Sequence, residues 1–401
     1  MPNFIPLVSL FLGVAFLLIG SGLLGTLLAV RGGLEGFSSQ TLGNIGAMYF
    51  VGFLAGTYLG PVMIRRVGHV RAFAFFTTAI ACASLLHELI TNPWVWGLLR
   101  LITGMAMVGL YTTIESWLNS QATPEHRSQI FSVYMAVNLG SLALAQQLLH
   151  WSNPAGHVLF ALAALSICAA VMPVAATRLA QPVVETIHGI GIKALYVRAP
   201  VACAAALLSG LSQGAFWGLA PVWADTSGLG NSGVAWFMTI AIIGGACLQW
   251  PIGQVTNRLD RGHVISVIAL LAALFSAGLL LASERGLTLV LLAAFCYGGF
   301  AFAIYPLAVA RMMDRLNKPE IIAGCASLLL LHGIGASIGP FFAGGLMHQF
   351  GPAALPAWFI ITQTLLAAVA WWLSARAPAN IDTQTPMTPM VRTTPSAIEM
   401  L

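Results

Sequence analysis

One basic side chain, Arg100, lies inside a long apolar stretch of this 401-residue chain. It falls six residues into a predicted helix and is followed by Gly104 and Gly109. Because a guanidinium group in hydrocarbon is energetically expensive, Arg100 must face protein or a water-filled cavity. There it would bind an anionic group or lower the pKa of a neighbouring acid. The alternative is a structural role, in which Arg100 reaches the outer surface or bridges to Glu88 or Glu35.

Titratable groups that could carry protons are scarce within the predicted helices. No Asp or Glu lies near the middle of a predicted helix, so the deepest candidates are Glu115, near a helix end, and His332. A proton carrier must be exposed alternately to each side of a membrane, and both residues are candidates for that role. For His332, a packing role with a hydrogen bond to a backbone carbonyl is an equal alternative.

The sequence lacks the residue patterns that are typical of metal sites and of enzymes. The six cysteines stand singly in apolar runs, without a CxxC pair or a nearby His, so we expect no metal, disulfide or cofactor. A membrane-embedded enzyme would need clustered His, Asp or Cys side chains. The chain also has no G-x-x-x-x-G-K-[ST] loop for ATP. We therefore expect neither an enzyme nor an ATPase.

Membrane helices must position these groups. Hydrophobic residues make up 58% of the chain and charged residues 7%, against roughly 25% charge in soluble domains. Its apolar runs are long enough to cross about 30 Å of hydrocarbon as helices. We expect an all-α integral membrane protein in the lipid bilayer, with twelve transmembrane helices near residues 4–30, 39–64, 72–91, 94–118, 128–150, 156–177, 200–223, 232–256, 264–283, 287–311, 321–348 and 353–375.

The chain is internally duplicated. Residues 60–71 read GPVMIRRVGHVR and residues 253–264 read GQVTNRLDRGHV, which places Gly68 and Gly262 194 positions apart. Pro124 and Pro319, each followed by Glu, are 195 apart. This shared offset predicts two pseudo-symmetric six-helix bundles. We place the first bundle at 1–178, a cytoplasmic linker at 179–199, the second bundle at 200–376 and a disordered tail at 377–401.

Basic residues predict the orientation in the membrane. With a cytoplasmic N-terminus, 14 of the 17 Lys and Arg residues fall inside, Arg31 and Arg285 fall outside, and Arg100 lies within a helix. Both termini are therefore expected to be cytoplasmic. The net charge of +5 reflects this bias and indicates no nucleic-acid partner.

The halves and their basic loops resemble the major facilitator superfamily of secondary transporters, over the whole apolar part of the chain. That family carries G-x-x-x-D-R-x-G-R-R after its second helix and an echo of it after its eighth. The second copy here matches at Gly253, Asn257, Arg258, Asp260 and Arg261. In the first copy, Arg66 and Gly68 match, whereas Arg65 stands in the acidic slot.

Three shorter runs narrow the resemblance. IESWLN at 114–119, QWPIGQ at 249–254 and GHVRAF at 68–73 are similar to a bacterial branch whose substrates are largely unassigned. We therefore expect a bacterial inner membrane location. The branch implies little about the substrate.

The resemblance implies that the two loops form conformational latches, in which Arg side chains pair with acidic groups in one state only. We expect Arg66 to pair with Glu115, while Arg261 and Arg258 would use Asp260 or Asp314. Exposed pairs of this kind contribute about 1 kcal/mol or less, which suits a switch. The expected latch residues are Arg65, Arg66, Gly68, Glu115, Arg127, Arg258, Asp260 and Arg261.

The resemblance also implies that the first and fourth helices of each half line a transport cavity. The side chains expected there are Arg100, Tyr111, Gln213, Trp217, Tyr297 and Tyr305. Aromatic rings, an amide and one Arg suit a modest-sized amphipathic organic solute better than an inorganic ion. Aromatic core packing is the alternative for each residue taken singly.

Small residues recur in the eleventh predicted helix at Gly335, Gly339 and Gly344. They resemble the superfamily's antiporter motif with one extra residue and in a different helix. Since small residues permit close helix contact, we expect an interface between the halves here.

The resulting hypothesis is a monomeric secondary transporter that moves a small organic solute by alternating access. Export is favoured over uptake, and protons are the candidate coupling ion. Two alternatives stay open: an uptake permease of the same fold, and a transporter-like sensor or structural membrane protein that moves nothing. The Arg65 substitution in the first loop keeps the last alternative open.

Overall fold

The computed structural model of the chain describes residues 4–121, 126–177, 190–256, 259–282, 285–376 and 390. The described residues contain helices and no β-strand. In chain order, the helices are α1 Phe4–Leu34, α2 Ser39–Val67, α3 His69–Leu89, α4 Pro93–Gln121, α5 Arg127–Gln147, α6 Val158–Ala169, α7 Val171–Ala175, α8 Ile192–Arg198, α9 Pro200–Thr226, α10 Gly230–Thr256, α11 Arg261–Ala282, α12 Leu287–Ala301, α13 Ile304–Met313, α14 Ile321–Phe350 and α15 Ala354–Arg376.

Helical segments lie at all twelve predicted positions. Eleven of them, counting α6–α7 and α12–α13 as one segment each, are long and apolar enough to cross a membrane. The remaining segment is α5, which has 21 residues and is more polar because it carries Arg127, Asn138 and three Gln side chains. The predicted all-α membrane architecture is therefore confirmed, although α5 does not reach the apolarity of the other spans.

The helices group into two compact units. The first unit contains α1, α2 from Met48 onward, and α3 to α7. The second unit contains residues Ser38–Ala47, at the start of α2, together with α8 to α15.

The linker prediction concerns residues that are described only in part. Residues 178–189 lie outside the described residues, and the described end of the linker contains the short helix α8. Hydrogen bonds attach this segment to the region around the start of α14, and one of them runs from the Ser327 hydroxyl to the Ile190 carbonyl. Ile190 N–H donates to the Ala323 carbonyl over 3.3 Å, and Arg198 bonds Glu320 at 2.6 Å. The Arg198 hydrogen bond holds the pKa of Glu320 below its ordinary value.

The tail that we expected to be disordered lies outside the described residues apart from Met390. The Met390 side chain is buried.

The turn between α2 and α3 depends on Gly68. Its φ of 83° lies in the left-handed region, which glycine adopts without a steric penalty. The second copy differs, because Gly262 lies in the first turn of α11 rather than in a tight turn. A Cβ atom on Gly262 would overlap the Ser374 hydroxyl, so this glycine serves helix packing.

The glycines of α14 have the role that the sequence suggested only in part. Cβ atoms on Gly335 and Gly339 would overlap the carbonyl oxygens of Leu207 and Leu211 on α9. These two glycines therefore bring α14 against α9 of the same half, so our assignment of Gly335 and Gly339 to an interface between halves is wrong. Gly344 differs, because a Cβ atom there would crowd the Ser39 carbonyl and Gly43 of α2, which belongs to the first half of the sequence.

The tenth predicted helix is broken. It ends as α12 at Ala301 and resumes as α13 at Ile304, two residues before Pro306. Pro306 has no N–H for the Phe302 carbonyl, so this oxygen loses its regular helical donor. The buried Gln249 amide compensates by donating to the Phe302 carbonyl at 3.5 Å, and the buried Gln213 amide donates to the neighbouring Ala301 carbonyl at 3.2 Å.

Candidate functional site

Arg100 lies on α4 in the first unit, against a ring of α2. The centre of its guanidinium group is 4.4 Å from the centroid of the Tyr49 ring, which is a cation–π contact. Both side chains are half-buried. The sequence identified Arg100 but not Tyr49.

Arg100 does not share the exposed stripe of α4. Trp94 and Leu98, four residues apart on one face, are 88% and 57% exposed. At 100° per residue, Arg100 lies about 200° around the helix from Leu98. Since a guanidinium group avoids lipid, its accessible part belongs to protein or to a watery region.

Glu115 is fully buried on the same helix. The Tyr134 hydroxyl of α5 donates to Glu115 Oε1 over 3.2 Å. Tyr111, one turn earlier on α4, is 9% exposed. Tyr134 was not predicted, because a single Tyr in an apolar helix gives no signal of its partner.

Two residues of α9 that were predicted to line a cavity lie beside the helix break. Gln213 is 6% exposed and caps the broken helix through the Ala301 carbonyl. Trp217, one turn later, is half-buried and stacks on Phe302 with ring centroids 5.7 Å apart. The structure thus brings these two residues together at the α12–α13 junction.

The remaining predicted residues of the second unit lie deeper. Tyr297 is fully buried, and its hydroxyl lies 3.1 Å from the Ser212 hydroxyl. Tyr305 packs on His332 with ring centroids 4.6 Å apart, and both are nearly fully buried. His332 Nδ1 lies 3.2 Å from the Ala206 carbonyl oxygen, which matches the packing alternative that we gave for this residue.

The loop after α2 has exposed cations. Arg65 and Arg66 are both exposed, and within the described part of the chain neither lies in an ion pair. The expected partner of Arg66, Glu115, is buried. Arg127, at the start of α5, is half-buried. The Arg66–Glu115 pair is therefore not formed in this structure.

The corresponding region of the second unit forms a network of buried ion pairs. Arg261 pairs with Asp314 at 2.7 Å, with side chains 0% and 4% exposed. Arg311 pairs with Asp260 at 2.8 Å, and His263 lies 2.7 Å from the same carboxylate. Arg258 lies outside the described residues.

These pairs tie the start of α11 to the end of α13. Asp314 was one of the two acidic partners that the sequence left open for Arg261. Arg311 was missed as a network member because it was counted only as a cytoplasmic charge, although its i, i+3 spacing from Asp314 places both on one helix face.

Known proteins resemble the chain along most of its length. Residues 202–395 match the model of the Major Facilitator Superfamily. Uncharacterized MFS-type transporters named YcaD, from Salmonella heidelberg (strain SL476) and from Salmonella typhi, are 25% identical over 349 residues, which is 86% of this chain and 90% of theirs.

Solved transporter structures share the fold. The crystal structure of nucleoside transporter NupG has a TM-score of 0.75 at 15% identity, covering 94% of this chain and 100% of that one. A bacterial homolog of the human lysosomal transporter Spinster, in an inward-facing and occupied conformation, has a TM-score of 0.73 at 13% identity, covering 96% and 98%. The chain therefore has the fold of these transporters along nearly its whole length, and its second half is similar to the Major Facilitator Superfamily.

Proposed function

We propose that the chain is a secondary transporter that moves a small organic solute with an anionic group across a bacterial inner membrane by alternating access. The position of Arg100 is the observation that supports this proposal most strongly. It is a half-buried cation within a membrane span, turned away from the exposed stripe of α4. A guanidinium group offers two parallel N–H donors to a carboxylate or phosphate, which suits recognition of an organic anion.

The distribution of basic residues supports an orientation with both termini cytoplasmic, because 14 of the 17 fall on that side. Export is the direction that we favour, with uptake as the alternative, and we propose a monomer as the working unit. Glu115 and His332 are the candidate proton carriers if protons drive the cycle.

We assign the two loop regions to gating. The ion pairs of the second loop region are buried, whereas the loop cations of the first unit are exposed. The Arg261–Asp314 pair is buried, unlike the exposed weak pairs that we expected, and removing one partner of a buried pair costs about 3–5 kcal/mol. Arg66 would pair with Glu115 only in another conformation. We expect Arg66→Glu or Glu115→Arg alone to cut flux in proteoliposomes and the double exchange to recover part of it. Absence of recovery would reject this pairing.

The binding proposal is tested by thermal unfolding of the purified protein with a panel of organic acids and their neutral amides, at two pH values. A ligand that binds the folded state raises the unfolding midpoint by mass action. We expect stabilisation by the anions that disappears in Arg100→Gln. Stabilisation that survives this substitution would make Arg100 structural and shift attention to Gln213 and Trp217. Absence of any binder would favour the transporter-like sensor.

A further inference from the structure

The contact that brings Arg100 to Tyr49 occurs twice in the chain. A Cβ atom on Gly52 would overlap the Leu101 carbonyl, and one on Gly104 would overlap the Tyr49 carbonyl. Helices α2 and α4 therefore cross with their backbones in contact, which only glycine allows. The crossing places Tyr49 beside Arg100, which directly precedes Leu101.

The second unit repeats this crossing between α10 and α12. Gly244 faces the Phe295 carbonyl and Gly298 faces the Ala241 carbonyl in the same manner. On α12, Phe295 and Gly298 lie 194 positions after Leu101 and Gly104; on α10, Gly244 and Ala241 lie 192 after Gly52 and Tyr49. The two crossings thus correspond residue by residue.

The cation–π contact between Arg100 and Tyr49 is present in only one of the two crossings. The counterpart of Arg100 is Ala294, and the counterpart of Tyr49 is Ala241, both with 0% exposure. The backbone crossing therefore forms equally well with two alanines. Packing does not explain why the first unit places a cation and an aromatic ring, both half-buried, at this position.

The contact geometry indicates what the ring does for the cation. At 4.4 Å from the ring centroid, the guanidinium group is held by attraction to the ring face. Such a contact restricts the orientation of a long side chain. A cation held in one orientation binds a carboxylate with a smaller loss of side-chain entropy than a mobile one does.

We propose that Tyr49 is a positioning residue, which holds Arg100 for the carboxylate of the transported solute and thereby sets the preference for organic anions over neutral analogues. The proposal rests on the proposed transport function and adds Tyr49 as its specificity determinant. Tyr49→Ala is a suitable variant because it gives α2 the residue that α10 carries at the same crossing.

The test is flux into proteoliposomes with aromatic monocarboxylates, each measured beside its carboxamide. We expect Tyr49→Ala to raise the KM for the carboxylate about tenfold, at a largely retained maximal rate, because binding would then have to order a mobile Arg100 side chain. A tenfold change corresponds to about 1.4 kcal/mol. The KM for the carboxamide should change much less. Tyr49→Phe, which keeps the ring, should restore the KM of the wild type. Tyr58→Ala, an exposed Tyr on the same helix, is the matched control and should leave both KM values unchanged.

The possible outcomes separate this inference from the proposed function. Wild-type protein that moves neither member of any pair overturns the proposed function and the role of Tyr49 with it. Wild-type protein that moves the carboxylate, with an unchanged KM in Tyr49→Ala, overturns the role of Tyr49 alone. An equal loss for carboxylate and carboxamide, or a Tyr49→Phe variant as impaired as Tyr49→Ala, would likewise reject positioning by the ring.

Discussion

At the scale of single residues, the sequence identified Arg100 because a charge in an apolar run is conspicuous. It could not identify Tyr49, since the two residues are 51 positions apart and meet only through the crossing of α2 and α4. The same holds for Glu115, whose donor Tyr134 lies on another helix. Charges are visible in a sequence, whereas their partners depend on how the helices pack.

Glu115 also supports a prediction about energy coupling. If this buried carboxyl carries the proton, Glu115→Gln should abolish the acceleration of flux by an imposed pH gradient, because an amide keeps hydrogen bonding and does not titrate. Counterflow without a gradient should persist. The measurement is proteoliposome flux with and without the gradient, with His332→Gln tested in parallel. A gradient response retained in Glu115→Gln and lost in His332→Gln would assign the role to His332 instead.

At the scale of elements, helix positions could be predicted because each span is a long apolar run. The break between α12 and α13 was not predicted, although Pro306 was a visible signal, since hydrophobicity continues through it. Its stabilisation by Gln213 and Gln249 comes from two other helices and could not be inferred from local sequence. The contacts of Gly335 and Gly339 on α14 were misassigned for the same reason, because spacing alone does not name the neighbouring helix.

The glycine crossing gives a prediction at this scale. Gly104→Ala should lower the free energy of unfolding by about 1–3 kcal/mol, because its methyl group would meet the Tyr49 backbone, which cannot move aside as a side chain does. Gly140→Ala, on α5 with no atom within 4 Å of its Cβ position, is the matched control. It should leave stability unchanged or raise it by up to about 1 kcal/mol. Comparable unfolding midpoints for the two variants in detergent would contradict the close crossing.

At the scale of the whole molecule, composition and the repeat predicted the fold class, because a chain with 7% charge and an offset of about 194 residues has few alternatives. Our functional proposals rest on the differences between the two repeats. The first unit holds the Arg100–Tyr49 pair and exposed loop cations, whereas the second holds buried ion pairs and two alanines at the equivalent crossing. The features that the two units share give no information on the substrate, so we proposed its anionic class from Arg100, which has Ala294 as its counterpart in the second unit.

Transport of organic anions is the most direct test of the role that we propose for Arg100. The measurement is counterflow of labelled organic anions in proteoliposomes containing wild-type protein, Arg100→Lys or Arg100→Gln. We predict saturable counterflow of at least one anion by the wild type, weaker counterflow by Arg100→Lys, and none by Arg100→Gln, since Lys keeps the charge but loses the bidentate geometry and Gln loses both. Counterflow of the same anion by Arg100→Gln at the wild-type rate would contradict it.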